Sequence, residues 1–454
     1  MPEKRANYQS RRVLHYGFLF AILFLTTTAC AGQAPTAIVT PHVFDTPVKE
    51  VNIATRIPFD RDHFSESIDI ESDVLVAGAP HYGYPGDGAG AAYIFRRTSQ
   101  GEWLQEAELI SSDRDDGFQY DQHFGEAVVL NGDLIAVGVP GYDDPQAGDN
   151  SGAVYIFEYD GSTWVETTRL TPSQPVAGAR MGSSIALDGD LMAISGSPLT
   201  GSISFFQREA KRWRELPPLT VPASADGKPT YALIDLYGDT LAISSVAWEE
   251  PASDLDEDAM LQSLKSEGVV TLYKREGDRW MQTFETAPQE VSLYKMRPEG
   301  PFGIPISLGG QGGEANLLAI GKPGFFRSGR EQGSVLIYER GPRGWQPQAE
   351  LALAAGEAVP GALPFFGSDP GPIFFGAFVK LEGDRLGVIS TFANTAYLFE
   401  RQDSGWTYRF RMTPGTEGAD DFMRRTLTWD GNTFLLGSPG DLGGGNLFVF
   451  ELED

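Results

Sequence analysis

The chain has 454 residues, 41% of them hydrophobic and 11% aromatic, enough apolar surface for a large packed core and too much for general disorder. Its 53 glycines and 30 prolines recur between short apolar runs, a punctuation that excludes a mainly helical protein and favours an all-β fold. A formal net charge of −27 repels nucleic acid and anionic lipid surfaces, favours cations or basic partners, and also serves solubility.

Residues 1–30 read as a targeting segment: a basic stretch from Lys4 to Arg12, an apolar run from Phe18 to Leu25, then Thr26-Thr27-Thr28-Ala29-Cys30. This predicts export to the cell envelope. Cys30 is the only cysteine, so no intramolecular disulfide can form, and a lone thiol after a small residue resembles the lipidated cysteine of bacterial lipoproteins. Thr27 stands where such signals usually carry Leu, which leaves open an uncleaved membrane helix from Val13 to Ala29. Either way the membrane is met only through this anchor. Residues 31–47, rich in Ala, Thr and Pro, are expected to be a flexible tether.

From residue 48 onward the sequence repeats. The unit opens with Phe-Gly or a similar pair, runs through alternating apolar residues to a Gly-Asp turn, and continues as an apolar run ending in Gly-Ala-Pro or a relative. After a variable loop come Gly-x-x-Tyr-x-Phe, a charged turn and Trp. The second copy shows every part: Phe124-Gly125, Gly132-Asp133, Gly138-Val139-Pro140, Gly152 to Phe157, and Trp164. The first carries Phe64, Gly78-Ala79-Pro80 and Trp103; the fourth is the most worn, and the seventh stops after Phe448-Val449-Phe450, before any Trp. Four period-two runs per unit predict a four-stranded antiparallel blade, and a repeat of several tens of residues predicts a propeller. The expected fold is an all-β, seven-bladed β-propeller. Because a ring must not leave an open sheet edge between its ends, the strand missing from the seventh copy is expected from residues 48–57, ahead of Phe64. Six tryptophans, Trp103, Trp164, Trp213, Trp280, Trp345 and Trp406, are expected to pack between blades, whereas Trp248 and Trp429 fall outside the register.

Over residues 48–454 these units resemble the FG-GAP repeats of the integrin α-subunit propeller, and more closely bacterial FG-GAP repeat proteins. The resemblance implies an extracytoplasmic binding or scaffolding module. Integrin-type calcium loops lie between strands one and two, where this chain has only a short Gly-Asp turn, so the family's calcium site does not transfer.

In a propeller, the connections from strand two to three and from strand four to the next blade open on one face. The long loops all belong to that group: Tyr82 to Gly90, Ser111 to His123, Gly141 to Ser151, Val246 to Glu267 and Pro347 to Phe374. It is the candidate functional face. Acidic residues gather there, among them Asp143, Asp144, Asp149, Asp254 and Asp256, while Arg96, Arg97, Arg208, Arg275 and Arg401 belong to the opposite face. Asp113, Asp115 and Asp121 approximate a calcium loop and are the candidate metal ligands; no other cofactor is indicated. No catalytic motif appears. His63 and His123 stand at equivalent repeat positions, which favours a structural role. The functional expectation is a membrane-tethered module for a protein or glycan ligand, in adhesion or envelope assembly. The alternative is a glycan-active hydrolase or lyase with an acidic pocket on the long-loop face.

Overall fold

A computed structural model describes residues 36–39, 48–53, 62–82, 88–112, 122–196, 201–221, 230–247, 265–287, 289–292, 304–323, 333–353, 374–390, 395–414, 426–439 and 445–452. They belong to one compact unit, Ala34–Asp454. The targeting segment and Cys30 lie outside the described residues.

Seven antiparallel sheets follow one another along the chain. From the axis outward, blade one comprises Ile68–Glu71, Val74–Ala79, Ala91–Arg97 and Trp103–Leu109. Blade two comprises Val128–Asn131, Leu134–Val139, Ala153–Tyr159 and Trp164–Leu170; blade three Ser184–Asp188, Leu191–Ser195, Ser202–Glu209 and Arg212–Thr220. Blade four has Thr230–Tyr237, Thr240–Ala247, Lys265–Glu276 and Arg279–Glu285, and blade five Ile306–Gln311, Glu314–Lys322, Ser334–Gly341 and Gly344–Leu353. Phe375–Glu382, Arg385–Ser390, Thr395–Gln402 and Gly405–Met412 form blade six. Blade seven takes Thr426–Asp430, Thr433–Ser438 and Asn446–Leu452 from the end of the chain and Val48–Ile53 from its beginning, with Val51 opposite Val449. The innermost strands pack against one another in sequence, and that of blade seven returns to Ile68–Glu71, which closes the ring.

Period-two alternation explains the packing. Tyr93 and Phe95 join the core between blades seven and one, whereas Ala92 and Ile94, on the other side of the same strand, join the core between blades one and two. Each hydrophobic cluster spans two consecutive blades, so the propeller has seven interfaces rather than one central core. The repeat tryptophans all sit in them, each facing the preceding blade; Trp280, for example, stacks on Phe205 with ring centroids 5.0 Å apart. Trp429 fills the joint between blades six and seven beside Phe434. It reaches over Gly387, where a Cβ would meet the Trp429 ring at 2.8 Å. Trp248 lies outside the described residues.

The two glycines that define the repeat meet each other across the joints. A Cβ on Gly78, in the Gly-Ala-Pro of blade one, would lie 2.0 Å from the carbonyl oxygen of Gly125, in the Phe-Gly of blade two. The ring-closing joint varies this theme: Ser65 takes the Phe-Gly position at φ 72°. Its hydroxyl donates to Asn446 O at 2.6 Å and accepts from Ser438 N at 2.9 Å. Blade seven is thereby fastened to blade one.

Three features depart from the sequence pattern. Thr36–Val39, inside the expected tether, forms a strand parallel to Glu350–Leu353 at the outer edge of blade five. The outer strand pair of blades one to six carries a bulge, as between Ile94 and Phe95. At the blade-five bulge Pro347 fits within an outer strand that runs on to Leu353, where the sequence had suggested the start of a loop.

Candidate functional site

The two faces of the ring differ in how their polar groups are used. On the short-turn face, the tip of one inner hairpin holds the next. The Glu71 carboxylate accepts from Gly132 N, Asn131 Nδ2 donates to Gly189 O at 2.9 Å, and Asp430 accepts from Ser72 N. At the rim of this face three arginines pair across the joints, Arg97 with Glu451, Arg208 with Glu158 at 2.6 Å, and Arg401 with Glu339, while others such as Arg96 pair within their own blade. The basic residues expected there are thus partly neutralised by fastening one blade to its neighbour.

The long-loop face is built differently. In blade four, Lys265–Gly268 pairs with Gln289–Ser292, so two connections that open on this face form a ribbon beyond the blade. In blade two, the Asp143 carboxylate accepts from Asn150 N at 2.7 Å and Asp144 from Gln146 N at 2.8 Å, fixing a loop closed by the Asp144–Gly148 bridge. Asp113, Asp115 and Asp121, the candidate calcium ligands, lie outside the described residues, as do Asp254 and Asp256.

Between blades one and two the same face gathers three histidines. His63 and His123 precede the Phe of their Phe-Gly positions, and His81 follows Pro80 at the end of strand two of blade one. The His63 and His81 rings meet edge to face at 4.3 Å, and those of His81 and His123 at 4.6 Å. His63 Nδ1 donates to Glu66 Oε2 at 3.0 Å, while His123 Nδ1 lies 3.5 Å from Glu126 Oε2. Among the described residues, the position before the Phe, or before Met181 in blade three, has positive φ in four blades, at His63 (54°), His123 (59°), Arg180 (47°) and Phe374 (46°). That backbone belongs to the repeat. What sets blades one and two apart is His at this position with Glu three residues later, so that each ring lies against a carboxylate. His63, Glu66 and His81 hold their potential ligand atoms within 4.8 Å of one another. The recurrence of His63 and His123 in sequence carries this signal only when Glu66 and Glu126 are read with them. The meeting with His81 is tertiary.

Near the axis, carboxylates from the inner strands have another use. Asp69 accepts from Ile70 N at 3.0 Å and, across the joint, from Leu130 N at 2.8 Å. Asp235 repeats this from blade four, accepting from Leu236 N at 2.9 Å and Leu308 N at 2.6 Å. Both are only partly exposed, and the protein around them desolvates the carboxylates, which pushes both pKa values up against the opposing field of Lys380. Their oxygens are engaged in holding inner strands together.

Residues 103–157 match the FG-GAP repeat family; the stretch runs from the outer strand of blade one through the third strand of blade two. No curated protein matches the chain. Among solved structures it is similar to a chain of a mitotic checkpoint complex, at 12% identity and TM-score 0.49, covering 92% of this chain and 99% of that one. It is also similar to a putative 6-phosphogluconolactonase from Bacteroides uniformis, at 11% identity and TM-score 0.43, covering 76% and 83%. Saccharomyces cerevisiae Sqt1 follows at 12% identity and TM-score 0.45, covering 87% and 98%. A match to the FG-GAP repeat within a closed ring of seven four-stranded blades fits an FG-GAP β-propeller.

Proposed function

We propose that this propeller is an exported, membrane-tethered binding module that takes a protein or glycan ligand on its long-loop face, in adhesion or envelope assembly. The asymmetry of the faces carries the reading. The short-turn face ends in tight hairpins tied to one another, whereas the long-loop face carries a ribbon and an acidic loop whose carboxylates brace its own backbone. Rigid scaffolds commonly present recognition residues in this way. Carboxylates at the axis bind backbone N–H groups, which gives the hydrolase alternative no particular support from them.

The test uses full-length chain in mild detergent, incubated with envelope extract and with a glycan array. A ligand should be retained by the native chain and lost when residues 141–151 are replaced by a short turn. Substituting Arg208 on the opposite face should leave capture unchanged. Retention that ignores the loop exchange, or cleavage of the glycans, contradicts the proposal. For the tether, fatty-acid labelling should disappear in Cys30→Ser; labelling that survives, or is never seen in the native chain, removes lipidation at that residue.

A further inference from the structure

We infer that His63, Glu66 and His81 form a binding site for a first-row transition-metal dication, with zinc as the representative ion, at the joint between blades one and two. His123 is its buried neighbour. This goes beyond ligand binding by the loops and does not depend on it.

The donor set argues first. Two imidazoles and one carboxylate suit zinc, nickel, copper or iron, whereas calcium and magnesium take oxygen ligands almost exclusively. Around tetrahedral zinc, ligand atoms about 2.0–2.1 Å from the metal lie roughly 3.4 Å from each other. The three potential ligand atoms already lie within 4.8 Å of one another, so side-chain adjustments of about an ångström complete the geometry.

Their placement argues next. His63 is 5% exposed and is held by the turn in which Glu66 N donates to His63 O at 3.1 Å. His81 is held to the same turn by its own N–H, which donates to Asp62 O at 3.3 Å. All three donors therefore stand on backbone that the repeat has already fixed, and little ordering remains to oppose binding.

A second, independent observation points the same way. His123 is 6% exposed, and its Nδ1 makes no hydrogen bond. Its ring leans on His81, and Glu126, 5% exposed, lies beside it. Three imidazoles and two carboxylates at one blade joint are more polar material than packing requires. A dication would balance the carboxylates and hold the imidazoles neutral. It would also staple the loop that starts at His81 to the entry of blade one, alongside the entry of blade two.

The experiment uses untagged full-length chain in detergent, stripped with chelator, and titrated with zinc chloride by calorimetry and with cobalt(II) by visible absorption. The native chain should bind one zinc per chain, develop ligand-field bands with cobalt that zinc bleaches, and unfold at higher temperature with zinc present. His81→Ala and Glu66→Gln should each weaken binding at least tenfold and lose the cobalt bands. His123→Ala should weaken binding by less. Thermal midpoints measured without metal show whether each variant is folded; His81 stands at a loop, and Glu66→Gln keeps an acceptor for His63. Absence of both zinc heat and cobalt bands in the native chain overturns the site and leaves the three rings as aromatic packing. Binding that persists at native affinity in both folded variants does so as well.

Discussion

Adding one methyl group at Gly78 should open a blade joint. The Cβ would stand 2.0 Å from Gly125 O, and ordinary contact begins near 3.4 Å, so blades one and two must part locally by about 1.4 Å. Both partners are backbone, and no side-chain rotation relieves the clash. The joint beneath contains Ile94, Phe124 and Tyr155, each 1% exposed or less. A gap of even ~1 Å forfeits up to about half the dispersion energy of the contacts it opens. Overpacking of a close-packed core typically costs ~1–3 kcal/mol, and with backbone on both sides Gly78→Ala should reach at least the upper end, about 3 kcal/mol. Gly132→Ala is the control. Gly132 has φ 57° and nothing within 4 Å of an added Cβ. It should lose only ~1–2 kcal/mol for the left-handed conformation. Guanidinium midpoints of the two variants and the native chain decide the matter. If Gly78→Ala is no more harmful than Gly132→Ala, the interlocking of repeat glycines is not what sets the blade spacing.

Ser65→Ala removes both hydrogen bonds at the ring-closing joint and strands their buried partners, for a loss of about 1–3 kcal/mol in the same assay. Ser65→Gly loses the same bonds but relieves the positive φ, so it should be the milder change. Lys380→Met should be more damaging at pH 7 than near pH 4. Asp69 and Asp235 have folded-state pKa values raised above the ordinary 3.8, so the folded state holds their protons more tightly and stability falls as pH rises from 3.8 through the folded values. Lys380 opposes that rise, and removing it adds a penalty only where the carboxylates are charged. Thermal midpoints across this pH range should therefore diverge from native on the alkaline side; a uniform loss at every pH refutes the coupling.

The architecture was legible because propeller strands must satisfy two joints at once. Alternation in Ala91–Arg97, a turn glycine such as Gly132 and a tryptophan such as Trp164 each have a local signature that repeats in register. The closing strand was legible from what the seventh unit lacked, and Val48–Ile53 fills that place. Trp429 was opaque because it replaces the usual packing with a contact over Gly387, a partner more than forty positions away. The pairing of Thr36–Val39 was also hidden, since four residues of Thr, Ala, Ile and Val name no partner by themselves. The histidine cluster was half visible. His-Phe-x-Glu occurs twice, at His63 and His123, but only the curvature of the ring brings His81 between them. Charge was legible in sign and not in use: Arg97, Arg208 and Arg401 looked like a basic face and instead fasten neighbouring blades.

The central claim is that the two ends of the repeat region close one ring, and amide hydrogen exchange across Asn446–Leu452 tests it directly. In the native chain this strand is paired on both sides, with Thr433–Ser438 and with Val48–Ile53. Its amides should exchange as slowly as those of Ala153–Tyr159, the corresponding strand of blade two. In a chain lacking residues 48–53, the amides that face the missing strand should exchange fast, and a separate peptide of sequence VKEVNI should restore their protection. Protection of Asn446–Leu452 that is unchanged by the deletion would contradict closure by the two termini.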